Sequence, residues 1–183
     1  YAVQRLEMVG PKVGADLRGK AIWSLVASWA LVLVYITWRF DFKFAVGGIL
    51  ALVHDVIISV GIFTLLGRTF SLTVLAAVLT IVGYSINDTI VIYDRIRELL
   101  RREGNRPFRE IIDLAVNQTL SRSILTSLTV FFVLLVLFAF GGEIISDFSL
   151  ILLIGVVIGS YSTLFIAAPV ILFWEGKGIR LRK

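Results

Sequence analysis

Residues 82–99, VGYSINDTIVIYDRIREL, decide the fold because they change from apolar to charged within one helical stretch. The apolar half carries the pair Asn87-Asp88, and the charged half begins at Asp94 and Arg95. A helical rise of about 1.5 Å per residue places Asp88 roughly 10 Å inside the membrane boundary that Arg95 marks. An ionisable group inside the membrane costs up to about 2.5–3.5 kcal/mol on insertion scales and usually faces a partner or water, so Asp88 requires an explanation.

The composition is that of a membrane protein. Hydrophobic residues make up 58% of the 183-residue chain, charged residues 17%, and the mean hydropathy is +0.93. A soluble domain of this length needs far less apolar material to fill one core. The net charge is +5, but the basic residues stand between apolar segments, which argues against nucleic acid as a partner. Cysteine is absent, so neither a disulfide framework nor a thiolate metal site is predicted.

Five segments are apolar and long enough to span a bilayer, which takes about 20 helical residues. The intervening residues 94–122 are charged, and Pro107 suits the first turn of a new helix there. The apolar side chains of that helix share one face, which predicts an amphipathic helix on the membrane surface; they are Phe108, Ile111, Ile112, Ala115 and Leu120. The fold class is therefore all-α: a polytopic membrane protein with five transmembrane helices and a cytoplasmic amphipathic helix. The predicted transmembrane domain covers 20–175, with spans at 20–38, 44–66, 71–93, 123–140 and 146–174.

The basic residues predict the orientation in the membrane. Thirteen of the 18 lysines and arginines fall on one side of the spans, which should be cytoplasmic. The N-terminus is then outside and the C-terminus inside, with 176–183 as a basic cytoplasmic tail. Residues 1–19 are predicted to be the end of an extracytoplasmic domain and its linker. We therefore expect an upstream segment that crosses the membrane first, as in one half of a longer chain.

Asp88 has candidate partners at the cytoplasmic end of the fourth span. Asn87 and Asp88 broadly share a helical side with small and polar residues of the third span. Arg122 enters the membrane at the same end, and Thr126 lies one helical turn deeper on the face of Arg122. Arg122 then pairs with Asp88 and Thr126 donates a hydrogen bond to it, or Arg122 is a lone positive anchor. The other reading of Asp88 is a side chain that reaches the cytosolic interface without a role.

An Asp–Arg pair in the membrane has the properties of a proton switch. Desolvation favours the neutral carboxyl group, whereas a nearby arginine favours the carboxylate. A helix movement that changes their separation changes proton binding, and each charge that crosses 100 mV supplies about 2.3 kcal/mol. Asp55, in the middle of the second span, is either a second relay group or a polar packing residue. The candidate proton pathway consists of Asp88, Arg122, Thr126, Asn87 and Asp55. His54 is the neighbour of Asp55, but consecutive helical residues point about 100° apart, so we expect neither a natural pair nor a metal site.

Enzymatic and packing patterns are also present. Tyr93-Asp94 occurs in intramembrane aspartyl proteases, but no G-x-G-D accompanies it. A Ser-His hydrolase is not supported, because His54 is the only histidine and no nucleophile elbow exists. We therefore predict no enzyme, metal or cofactor, with the proton as coupling ion. Gly155 and Gly159 form a G-x-x-x-G pattern that predicts close helix packing.

The motifs, taken in order, resemble the SecF family of membrane subunits of the bacterial SecDF protein-export factor. The resemblance covers nearly the whole chain. It rests on VGPKVGADLR, FDFKFAVGGILALVHDVIISVG, VGYSINDTIVIYDRIRE, NQTLSRSILTSLT and FSLILLIGVVIGSYST.

This resemblance implies a resistance-nodulation-division type of fold, in which the chain would hold the last five of six membrane helices in one half. It implies SecD as a partner, together with the SecYEG translocon, the SecA motor indirectly, the preprotein substrate and the bilayer of the bacterial cytoplasmic membrane. The function implied is the use of the proton gradient to assist preprotein export. Asp88 of SINDT, Arg122 of TLSRS and Thr126 of ILTS match the family positions linked to the proton path.

The resemblance leaves alternatives and a gap. SecD contributes another membrane aspartate to the family's proton path, so this chain alone should not be a complete pump. One alternative is a proton-coupled small-molecule or lipid exporter of the same superfamily. Another is a passive scaffold, in which Asp88 can be replaced without loss.

Overall fold

The structure, a computed structural model, describes residues 11–103 and 105–175 and consists of helices joined by short turns. In chain order the helices are α1 (Pro11–Arg39), α2 (Phe42–Leu65), α3 (Leu72–Arg102), α4 (Phe108–Phe140) and α5 (Gly142–Ser162), followed by a π-helical turn (Thr163–Ala167) and α6 (Ala168–Glu175). Five described segments are long and apolar enough to cross a membrane, which confirms the predicted number of spans. They are Gly19–Arg39, Phe42–Leu65, Leu72–Arg102, Phe108–Phe140 and Gly142–Trp174.

The connections use residues that suit helix ends. The Ser71 hydroxyl accepts a hydrogen bond from the backbone N–H of Val74 at 3.3 Å and so caps α3. Gly67 and Gly142 have φ angles of 73° and 75°, in the left-handed region that side chains disfavour. These residues allow short turns after α2 and α4, so consecutive spans run antiparallel.

The charged segment between the third and fourth spans differs from the prediction in position. It does contain an amphipathic helix, but residues 108–122 run without a break into the fourth span as the first half of α4. Ile111, Ile112 and Ala115 are buried in one core cluster with residues near the end of α3. The apolar face is thus covered by protein rather than by the bilayer surface, because the extensions of α3 and α4 bury each other's apolar faces.

The two ends of the chain also bear on the predicted domains. α1 begins at Pro11, nine residues before the predicted start of the first span, and proline suits a first helical turn. Residues 1–10 and 176–183 lie outside the described residues, so most of the predicted outer-domain end and the whole basic tail remain predictions.

Helices α3 and α5 run parallel at close distance. Gly155 lies against Ile81, Gly159 lies against Ser85, and the Thr163 and Thr89 hydroxyls are 3.2 Å apart. A Cβ atom on Gly155 would lie 2.3 Å from Ile81 Cδ1, so the glycine is needed for this approach. The G-x-x-x-G pattern therefore packs helices, as predicted.

Two apolar clusters form the core, and a polar layer separates them along α3. One cluster lies near the end of α1 and includes Ile36, Phe44 and Ile96. The other includes Phe63 and Ile151. Between them α3 carries four polar side chains that form hydrogen bonds with neighbouring elements, namely Tyr84, Ser85, Asp88 and Thr89.

Candidate functional site

Helix α3 presents two rows of polar side chains to different neighbours. Tyr84 and Asp88 are four residues apart and contact α4. Ser85 and Thr89 have the same spacing and contact α2 and the π-helical turn. Helix α3 therefore takes part in both sets of polar contacts in this layer.

The Asp88 carboxyl group lies in the gap between α3 and α4. Its Oδ1 accepts a hydrogen bond from the Ser123 hydroxyl at 2.7 Å. Its Oδ2 is buried and has no hydrogen-bond donor among the described residues. A buried carboxylate oxygen without a donor is unfavourable, so this carboxyl group has an unmet requirement for a proton, a donor or a cation.

A chain of hydroxyl groups begins one turn away from Asp88. The Tyr84 hydroxyl donates to Ser127 Oγ at 3.1 Å, and Ser127 Oγ is 2.6 Å from Ser160 Oγ. Ser160 in turn donates to the carbonyl oxygen of Val156 at 2.8 Å. These hydrogen-bonded hydroxyl groups connect α3, α4 and α5 within the membrane-spanning part of the bundle.

Arg122 and Thr126 lie on another face of α4 from the one expected. Both side chains are exposed, and within the described chain Arg122 has no ion pair with Asp88 inside 4 Å. Thr126 donates to the carbonyl oxygens of Arg122 and Ser123, at 3.0 Å each, and not to Asp88. The face of α4 that contacts α3 carries Ser123 and Ser127, whereas Arg122 and Thr126 each precede one of these by a residue and point about 100° away. The predicted direct contacts with Asp88 are therefore absent from this conformation.

Asn87 and Asp88 point to different sides of α3, because consecutive helical residues are about 100° apart. Asn87 is an exposed residue, as are Ala76, Thr80 and Gly83 on the same side of α3. These positions recur every three or four residues and form the outer stripe of α3, which consists of Ala76, Thr80, Gly83 and Asn87. Asn87 therefore belongs to an outward surface and not to the buried layer.

Asp55 is fully buried between α2, α3 and α5. Its Oδ2 accepts from the Ser85 hydroxyl at 2.6 Å, and its Oδ1 is 3.1 Å from His54 Nδ1. A Cβ atom on Gly159 would lie 3.6 Å from Oδ2, so the α5 backbone covers the carboxyl group. Unlike Asp88, Asp55 has a hydrogen-bond partner for each oxygen.

The expectation that His54 and Asp55 do not pair is wrong. Their side chains leave the helix about 100° apart, but the imidazole ring is long enough to turn back towards the shorter carboxyl group. The His54 side chain is 30% exposed, whereas that of Asp55 is 0% exposed. The pair therefore connects a buried acid to the outside of α2.

Several hydroxyl residues of the site were not predicted. Ser123 and Ser127 on α4, Ser85 on α3 and Thr163 in the π-helical turn all contact the layer. Thr119, Ser123 and Ser127 follow each other at intervals of four residues, so their spacing is the sequence signal that identifies the polar face of α4. No comparable signal marks Thr163.

Nearly the whole chain is similar to known proteins. Residues 1–177 match the protein family described as protein export membrane protein SecD/SecF, C-terminal. The chain is 47% identical over 180 residues to the protein translocase subunit SecF of Desulfurispirillum indicum, covering 97% of this chain and 57% of that protein. It is 50% identical over 173 residues to the SecF subunit of Magnetococcus marinus, covering 94% and 56%. The chain thus spans a little over half the length of these relatives.

A solved structure gives the same fold. The crystal structure of SecDF from Thermus thermophilus, described as a translocon-associated membrane protein, superposes with a TM-score of 0.86 at 42% sequence identity. The match covers 91% of this chain and 23% of that protein.

Proposed function

The chain belongs to the SecD/SecF family of protein-export membrane proteins, and from this membership we propose that it is part of the Sec protein translocation machinery. Its role is to use the proton gradient to assist preprotein export. It is a multi-pass membrane protein, which we place in the bacterial cytoplasmic membrane with its C-terminus inside. The names of its relatives support a translocase subunit and do not favour the alternative of a small-molecule or lipid exporter.

The proposal rests on the incomplete hydrogen bonding of the Asp88 carboxyl group. One carboxyl oxygen is bonded to Ser123, and the other is buried without a donor. A proton satisfies the second oxygen when the group is neutral, and a cation satisfies it when the group is ionised. Asp88 therefore suits a site that gains and loses a proton.

Arg122 is the cation that we assign to the ionised state. It adjoins Ser123 on α4, so a rotation of α4 by part of the ~100° between consecutive residues carries its long side chain towards Asp88. Ser123 faces Asp88 in the conformation described above, and Arg122 faces it in the other state. Thr126 bonds the backbone at Arg122 and moves with it.

We assign Asp55 an accessory place in the proton pathway. Its carboxyl group contacts the partly exposed His54 on one side and Ser85 on the other. Ser85 lies three residues before Asp88 on α3. A change in the protonation of Asp55 therefore acts, through its hydrogen bond with Ser85, on the helix that carries Asp88. Its alternative role is polar packing.

The outer stripe of α3 is the surface that we assign to SecD. Small and polar side chains on an exposed membrane face let another helix approach closely. Asn87 adds a hydrogen-bonding group to this stripe. Through SecD the chain would join the SecYEG translocon, with SecA as an indirect partner. No cofactor and no enzymatic step is part of this proposal.

Replacing the proton-binding group tests the proposal directly. Asp88→Asn in the full-length protein with its partners keeps size and hydrogen bonding but cannot titrate. We expect preprotein export to lose its response to the proton gradient, while the complex still assembles. Asp113→Asn is the matched control, because Asp113 is an exposed acid of α4 outside the polar layer. Unchanged gradient-dependent export in Asp88→Asn would falsify the proton role and favour the passive-scaffold alternative.

A further inference from the structure

A groove rich in arginine lies where the ends of α1 and α3 meet. Its volume is about 500 Å³, and it is lined by Arg39, Asp94, Arg97, Glu98, Arg101 and Arg102, which we call the arginine groove. The polar layer around Asp88 is a separate part of the molecule.

Both acids of the arginine groove are already neutralised by arginines. Asp94 Oδ1 forms an ion pair with Arg39 Nη2 at 3.0 Å. Glu98 pairs with Arg102 at 3.0 Å and also with Arg95. Neither carboxylate is therefore left to neutralise a further cation.

Two guanidinium groups of the arginine groove remain without an acidic partner. Arg97 donates to the backbone carbonyl of Arg39 at 3.0 Å, which is a contact with a neutral group. Arg101 is exposed and has no hydrogen bond or ion pair in the part of the chain that the structure describes. Two positive charges thus face the same open space, and they favour an anion there.

The arginine groove lies at the membrane boundary. Arg39 is the last residue of the membrane-spanning α1, and the preceding Trp38 is 83% exposed, as expected for an indole ring at the interface. The turns of α1 that precede Trp38 have an exposed apolar face, which is formed by Leu31, Val34 and Tyr35. This exposed apolar face thus ends next to Arg39, which lines the arginine groove.

We infer that the arginine groove binds the phosphate group of an anionic phospholipid. The phosphodiester lies between Arg97 and Arg101, since guanidinium groups match phosphate oxygens with pairs of N–H donors. The acyl chains lie along the exposed face of α1. Basic pockets between membrane helices are known to bind anionic headgroups in this way.

Lipid retention measures this binding. The full-length protein is placed in nanodiscs of phosphatidylcholine with a minor fraction of phosphatidylglycerol, and bound lipids are counted by native mass spectrometry. We expect Arg101→Gln to lower the ratio of retained phosphatidylglycerol to phosphatidylcholine about fivefold, and Arg101→Glu to lower it further. Arg109→Gln and Arg109→Glu are the matched controls, because Arg109 is exposed near the same end of the bundle but outside the arginine groove.

Three results would overturn the inference. Equal loss of phosphatidylglycerol in the Arg101 and Arg109 variants would show general surface charge only. Arg101-dependent binding of inorganic phosphate in pure phosphatidylcholine nanodiscs, with no phosphatidylglycerol preference, would indicate a soluble phosphate ligand. Release of a partner subunit by Arg101→Glu, with lipid retention unchanged, would identify a protein contact.

Discussion

Ser123 Oγ lies 2.7 Å from Asp88 Oδ1, whereas Arg122, one residue earlier on the same helix, points outwards. The residue that holds the carboxyl group in this conformation is therefore a hydroxyl donor. A serine donor leaves the carboxyl group free to exchange a proton, because it brings no fixed positive charge. This arrangement makes Ser123 a positioning residue for the proposed proton site.

Ser123→Ala is expected to slow gradient-dependent export about tenfold. The change removes the hydrogen bond to Asp88 Oδ1, and a bond to a charged group is worth about 1.5–3 kcal/mol. Thr129→Ala is the control, because Thr129 is exposed on the same helix and its hydroxyl donates to the backbone carbonyl oxygen of Thr126, away from Asp88. The measurement is the export rate of one preprotein into inverted vesicles, with and without a proton gradient. Equal rates in both variants would contradict a specific role for Ser123.

Gly155→Ala is expected to destabilise the packing of α5 on α3 by about 1–3 kcal/mol, the usual cost of overpacking. The new Cβ atom would lie 2.3 Å from Ile81 Cδ1 and 2.4 Å from Ile81 Cγ1, and Ile81 is itself buried. Thermal unfolding in detergent measures the loss. Ile81→Ala is itself destabilising, so the loss in the double variant should be smaller than the sum of the two single losses, because the double variant removes the clash. If Gly155→Ala unfolds at the wild-type temperature, the helices are not as close as described.

The sequence predicted the helices better than it predicted their contacts. Hydropathy and length identify five spans, since the bilayer sets both. Helical periodicity also placed Asp88, Arg122 and Thr126 near one end of the bundle. It did not show which face of α4 meets α3, because the prediction divides Phe108–Phe140 into a surface helix and a separate span. In the structure they form one helix, so the face of Ile111 and Ile112 continues through Ser123 to Asp88. The His54–Asp55 contact was missed for a related reason, since spacing fixes where a side chain starts and not the rotamer it adopts.

Asp55→Asn is expected to lower gradient-dependent export, although less than Asp88→Asn does. Asparagine keeps an acceptor for the Ser85 hydroxyl, which bonds Asp55 Oδ2 at 2.6 Å, but it cannot carry a proton. Ser85→Ala, which leaves the acid in place, is the companion variant and should retain more of the gradient response. Export with and without the gradient is compared in all three variants. Wild-type behaviour of Asp55→Asn would make Asp55 a polar packing residue.

Gly83→Leu is expected to weaken association with SecD while the chain itself stays folded. A Cβ atom on Gly83 meets no other atom within 4 Å, so the larger side chain projects outwards from the outer stripe, into the space that we propose for SecD. Gly61→Leu on α2 is a matched control, because Gly61 is also exposed and has the same open surroundings in this chain. Co-purification of SecD with each variant measures association, and the unfolding temperature of each variant checks the fold. Equal recovery of SecD with both variants, at unchanged unfolding temperatures, would remove the outer stripe from the interface. Loss with Gly61→Leu alone would instead place SecD against α2.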